Sequence, residues 1–157
     1  MDGWRKGIRF SSAHATLDLG KCERLHGHSY ALHARIVGGQ DERRIVFDFV
    51  EVVKALREIA DEIDHFVLVP TKSKRIKVKA DETTVTMQNG DRKYSFPRGD
   101  CFLLPTPSST AEDLADFVMG ELRRRVKFPK GISRVEVGCD EGYGQGAWAS
   151  WVPGGAG

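Results

Sequence analysis

The chain has 157 residues, 40% of them hydrophobic and 29% charged, with a net charge of +2 at neutral pH. That length predicts a single domain, 1–157, able to bury a core of its own. The near-neutral charge gives no support to nucleic-acid or membrane-surface partners, and no run approaches the ~18 apolar residues of a membrane span.

In chain order, the opening MDGWRKGIRF lacks an apolar signal-peptide run. Ile8, Phe10, Ser12 and His14 then alternate with the period of a strand. A connection containing Gly20 leads to LHGHSYALHARIV, a long strand candidate broken by Gly38-Gly39. On it His26, His28, Tyr30, Leu32, Ala34 and Ile36 share one face, and His33 points to the other. FDFVEVVKALREIADEID predicts a helix, with Asp48 and Glu51 in capping-box spacing. Phe49, Val52, Val53, Leu56, Ile59, Ala60 and Ile63 form its apolar stripe. RIKVKADETTVTMQNGDRKYSF carries Asn89-Gly90, a hairpin signal. A second helix opens at Ser109 or Thr110, with Glu112 and Asp113 in its first turn and Ala111, Leu114, Ala115, Val118 and Leu122 facing inward. SRVEVGC predicts the last strand; the glycine-rich EGYGQGAWASW has no clear assignment. The order is β-β-α-(ββ)-α-β, an α+β pattern with antiparallel strands.

Chemistry concentrates in KCERLHGH, residues 21–28, which holds one of three cysteines and two of five histidines. Strand residues i and i+2 lie on one side, about 6.5–7 Å apart, so His26 and His28 can aim at one ion. His14, on a paired strand, completes a three-histidine set with one position left open, the pattern of a catalytic zinc site. Cys22 is either a fourth ligand or a separate reactive group; the spacing alone leaves both open. Cys101 and Cys139 read as packing residues. With three cysteines and no CxxC pair, a disulfide framework is not indicated, and a reducing cytoplasm is the expected location. The lysine-rich run from Lys72 to Lys79 reads as a solubilising edge.

These residues resemble the 6-pyruvoyl-tetrahydropterin synthase superfamily, and within it the 6-carboxy-tetrahydropterin synthase branch. The resemblance is carried by FSSAH (10–14), CERLHGHSY (22–30), VFDFVEVVKAL (46–56), EIDHFVLVP (62–70) and PSSTAEDLA (107–115). The three-residue gap between Cys22 and His26 is what favours the carboxy branch. The resemblance implies Zn2+ on His14, His26 and His28, and catalysis by Cys22 with the Asp64-His65 pair. It also implies a pterin-anchoring glutamate after the last strand, assigned here to Glu141 with Asp140 as the alternative. Adjacent side chains seldom bond each other usefully, so the role of Asp64 beside His65 rests on the resemblance, with a carboxylate elsewhere in the fold as the alternative partner. The implied fold is the tunnelling fold, an antiparallel β-β-α-α-β-β sheet with two helices on one face, here with a surface hairpin insertion.

The implied substrate is 7,8-dihydroneopterin triphosphate. The implied products are 6-carboxy-5,6,7,8-tetrahydropterin, acetaldehyde and triphosphate, on the way to deazaguanine nucleosides. The resemblance further implies a homo-oligomer, trimer or hexamer, with sites between subunits. Two rival readings are the pyruvoyl-forming reaction on the same substrate and a non-catalytic zinc- and pterin-binding oligomer.

Overall fold

A short helix unforeseen in the sequence, α1 (Gly3–Lys6), opens the chain and is capped by the Asp2 carboxylate, which accepts from Arg5 N. The alternating segments then form β1 (Arg9–His14) and β2 (His26–Gly38) as expected. The computed structural model, which describes residues 1–154, pairs them antiparallel, with Phe10 opposite Tyr30, Ser12 opposite His28 and His14 opposite His26.

Helix α2 (Phe49–Ile63) begins at Asp48, whose carboxylate accepts from Val50 N at 2.8 Å. The cap therefore serves the second helical N–H, not the third that a capping box uses. Val52, Leu56, Ile59, Ala60 and Ile63 are buried as the stripe predicts, but Phe49 is 69% exposed. At the far end, Ser12 Oγ donates to the Ile63 carbonyl at 2.6 Å. The backbone then turns sharply through His65, which adopts φ +63°.

This turn corrects the expectation of an antiparallel sheet. After it, β3 (Val67–Pro70) runs parallel to β1, because the chain reverses twice, once from β1 into β2 and again through α2 into β3. A three-stranded antiparallel sheet follows: β4 (Lys77–Ala80), β5 (Thr84–Asn89) and β6 (Arg92–Pro97). Next, β7 (Cys101–Leu104) pairs parallel with β3. Helix α3 (Ala111–Arg125), β8 (Ile132–Glu141) and β9 (Gly146–Trp151) complete the described elements. The main sheet is mixed, in the order β7-β3-β1-β2-β8-β9. The four-residue runs of β3 and β7 are largely buried and show no polar alternation, so periodicity could not separate them from a buried loop.

The Asn89-Gly90 signal does mark a hairpin, but Asn89 is its last strand residue, paired with Arg92. The loop is Gly90-Asp91, with positive φ at Gly90 (+60°) and not at Asp91, as a type II′ turn has.

Helices α2 and α3 cover one face of the main sheet. Phe10, Tyr30, Leu32, Val135 and Val137 meet Leu56, Ile59, Leu114, Val118 and Leu122 there. Each fully buried large side chain contributes roughly 1.5–3 kcal/mol relative to exposure. A second apolar cluster, Ala15, Val69, Ile76, Val85, Met87 and Cys101, lies beneath the hairpin sheet. Among the described residues no helix is long and apolar enough to cross a membrane.

Candidate metal centre and substrate cavity

The face of β2 that supplies Tyr30 and Leu32 to the core continues through His28 to His26, beyond the helix-covered region. Opposite His26 stands His14, on the same face as Phe10 and Ser12. Strand pairing therefore converges three imidazoles without any special loop. One ring nitrogen from each lies within 4.8 Å of the others, and Cys22 stands outside that set.

Hydrogen bonds select the nitrogens that face the centre. His14 Nδ1 lies 2.7 Å from the carbonyl of Ser109, and His26 Nδ1 lies 2.7 Å from that of Arg24. A carbonyl only accepts, so both Nδ1 atoms carry the proton and both Nε2 atoms keep a lone pair. His14 Nε2 is buried and has no protein partner. Burial, reinforced by the neighbouring His26 and His28 and partly offset by the Ser109 bond, lowers the His14 pKa to about 4. Burial and His26 lower that of His28. Neutral imidazoles with oriented lone pairs are the form that binds a divalent cation. The donor set suits a borderline metal with an open fourth position.

Beside this cluster, Glu141 closes β8 opposite Tyr30. Its Oε1 is buried without a hydrogen-bond partner and lies 3.9 Å from His14 Nε2. Burial raises the Glu141 pKa, the nearby Glu112 adds to the rise, and His26 opposes it. A buried carboxylate oxygen lacking a donor is ready for a ligand that brings one. Asp140, one residue earlier, projects to the other face of β8. It accepts from Trp4 Nε1 at 2.9 Å and lies 3.1 Å from His33 Nε2, so it is already engaged. His33 is accordingly a buried packing residue that also accepts from Gly3 N.

Cys22 sits on a 3-10 turn, Gly20–Glu23, and is half-buried. It lines a cavity of about 380 Å³ together with His14, His26, His28, Glu112 and Glu141. The N-terminus of α3, at Thr110 and Ala111, forms another wall. Thr110 makes no side-chain cap; instead the Asp113 carboxylate accepts from both Ser108 N and Ser108 Oγ at 2.6 Å.

Asp64 and His65 lie elsewhere. His65 is largely exposed and lines a second cavity, of about 570 Å³, with Ser11, Gly27 and Ser29; His28 alone belongs to both cavities. The carboxylate beside His65 is that of Asp64 itself, with Oδ2 2.7 Å from His65 Nδ1. The positive φ at His65 folds the pair back on itself, which an extended backbone cannot do. Asp64 Oδ1 also accepts from Ser11 N at 2.6 Å, anchoring the pair to β1.

Sequence reasoning missed three contributors. Ser109 acts through its main-chain carbonyl and so has no side-chain signature. Glu112 reads as a helix-dipole acid, yet it also faces the cavity. Tyr30 reads as core and is fully buried, but its hydroxyl has no partner.

Taken together, this is an α+β protein whose helix-covered sheet opens at one end into a histidine-lined cavity backed by a buried carboxylate. Residues 4–150 match the family model for 6-pyruvoyl tetrahydropterin synthase, and the chain belongs to that family of pterin-synthesis enzymes. It is 36% identical over 150 residues to a Methanocaldococcus jannaschii protein provisionally named 6-carboxy-5,6,7,8-tetrahydropterin synthase, covering 94% of this chain and 92% of that one. An Aquifex aeolicus protein of the same name, held without the proviso, is 32% identical over 120 residues, covering 74% of this chain and 66% of its own. The structure of Plasmodium falciparum 6-pyruvoyl tetrahydropterin synthase matches with a TM-score of 0.88 at 23% identity, covering 97% and 95% of the two chains. That likeness fixes the fold as the family's tunnelling fold.

Proposed function

We propose that the chain is a zinc-dependent 6-carboxy-tetrahydropterin synthase. It would convert 7,8-dihydroneopterin triphosphate to 6-carboxy-5,6,7,8-tetrahydropterin, with release of acetaldehyde and triphosphate. The observation that carries this reading is the convergence of three histidines, a thiol and an unpartnered buried carboxylate oxygen in one cavity.

His14, His26 and His28 hold the Zn2+, which when bound acts as a Lewis acid toward substrate oxygens. Glu141 takes the pterin edge, where the 2-amino group and adjacent ring N–H present two donors to one carboxylate. Charge-assisted bonds of this kind are the strong ones. Cys22, next to the bound side chain, moves a proton between carbon and its thiolate. His65, oriented by Asp64, serves a second proton transfer. Because Cys22 and His65 line separate cavities, we infer that a second copy of the chain brings its own His65 to the cavity of the first. The working form is then a homo-oligomer, a trimer or hexamer, acting in the cytoplasm without nucleic-acid or membrane partners.

The test is mass spectrometry of the products formed by zinc-loaded protein from 7,8-dihydroneopterin triphosphate. The carboxy product with acetaldehyde supports the reading, and Cys22→Ala should abolish it while retaining the metal. A 6-pyruvoyl product, the reaction in the matched family's own description, would replace it by the second reading. Absence of any product from an intact metal-loaded oligomer would point to pterin binding without turnover.

A further inference from the structure

The hairpin sheet has no part in the chemistry above, yet it is tied to the loop that carries Cys22. Asn89, at the end of β5, is 2% exposed. Its carboxamide nitrogen donates to the Thr16 carbonyl at 2.9 Å and reaches the Glu23 carbonyl at 3.4 Å. Those two carbonyls stand at the start and end of the loop, and Glu23 directly follows Cys22. Thr16 in turn grips Cys22: its N–H and its hydroxyl both donate to the Cys22 carbonyl at 3.0 Å. Arg92, paired with Asn89 across the hairpin, adds an ion pair to Glu23 at 3.1 Å. Arg75, just before β4, grips the Asp18 carboxylate with both guanidinium nitrogens. Ala15 and Leu17 pack into the apolar cluster under the sheet beside Val85 and Met87.

We propose that Asn89 is a positioning residue for Cys22, and that the hairpin is a brace holding the thiol-bearing loop in register with the histidine cluster. This rests on the reading of Cys22 as the proton-transfer group. The physical case is one of leverage. The loop's own internal bonds involve few residues, and a short 3-10 turn holds its shape poorly. A buried donor that spans both ends of the loop removes the hinge freedom that those bonds leave. Asn is suited to this because one NH₂ group offers two hydrogens to two carbonyls. Such placement matters because a displacement of about 1 Å at a reacting group can cost ~100-fold in rate.

The experiment compares zinc-loaded wild type with Asn89→Asp, which keeps the shape but sets an acceptor against both carbonyls. Hydrogen exchange over residues 15–25 and steady-state kinetics with 7,8-dihydroneopterin triphosphate are read side by side. Expected are faster exchange in that loop with β1, β2 and β8 unchanged, and kcat down about 10- to 100-fold. KM should stay within about twofold and metal content should remain full. Leu56→Ala, which loosens the main core without touching the hairpin or the loop, should lower thermal stability but leave the loop's exchange and kcat as in wild type. Should Asn89→Asp not fold, Arg92→Gln removes the Glu23 ion pair and should give the same pattern, weaker, with kcat down about threefold. Wild-type loop exchange and kcat in a folded Asn89→Asp protein would overturn the proposal, as would Leu56→Ala reproducing its effects. If wild type itself shows no turnover, the reading of Cys22 falls, while the exchange comparison still decides whether Asn89 braces the loop.

Discussion

His14 and Ser109, 95 residues apart in the chain, are joined by a 2.7 Å hydrogen bond from the imidazole Nδ1 to the main-chain carbonyl. The bond sets the tautomer, turns Nε2 toward His26 and His28, and links β1 to the residue before the α3 cap. If that centre holds a metal, His14→Ala should reduce bound zinc from about one per chain to below about a tenth. Ser109→Ala keeps the carbonyl and should bind zinc as wild type does. Elemental analysis after gel filtration reads both, and equal zinc in all three proteins would place the metal elsewhere.

Acid should expose the same residue. Its pKa of about 4 lies below the ordinary 6.5 because burial disfavours the imidazolium. Below pH 6.5 the unfolded chain therefore binds a proton that the metal-free folded protein does not. Stability falls as pH drops through this window, and the loss is complete only below about pH 4. The contribution is on the order of 3 kcal/mol. Urea unfolding of chelator-treated protein between pH 7 and 4 should show a steeper decline in wild type than in His14→Asn. Parallel declines would assign acid sensitivity to other groups.

Glu141 and Asp140 are neighbours that project from opposite faces of β8. Glu141→Gln should weaken pterin binding by about 100-fold or more, since a charge-assisted acceptor pair is lost. Asp140→Asn should leave binding within about threefold but destabilise the fold by roughly 1–3 kcal/mol, because the Trp4 and His33 contacts are disturbed. Calorimetric titration with a pterin and thermal denaturation separate the two, and a reversal of the pattern would move the anchor to Asp140.

Leu56, fully buried between α2 and the sheet, marks the core: Leu56→Ala should cost about 2–5 kcal/mol in urea unfolding. Phe49→Ala, at a position 69% exposed, should change stability by less than about 0.5 kcal/mol in an isolated chain. A larger loss at Phe49 that depends on protein concentration would mean that the ring is covered in an oligomer.

How much was legible beforehand depended on the range of the interaction. His26 and His28 sit two apart on one strand, and alternation alone puts them on one face; pairing β1 with β2 brings in His14. Local pattern likewise revealed α2, α3 and the hairpin. It misassigned Phe49, because the stripe fixes a helical face but not how much of its first turn the sheet covers. The Asp64-His65 contact escaped because it depends on a positive φ at a non-glycine residue.

By itself the sequence determined the histidine pair, its strand, the amphipathic helices and the family motifs, because each is written in residue types at short, periodic spacing. Only the tertiary structure decided that β3 and β7 run parallel to β1, that Glu141 and not Asp140 faces the histidines, and that Asn89 reaches the Cys22 loop. Those outcomes depend on how often the chain reverses between paired strands, on which side of a strand's end remains unfilled, and on contacts between segments as much as 136 residues apart. Such contacts form only when the whole sheet closes around its core, and no local spacing encodes them.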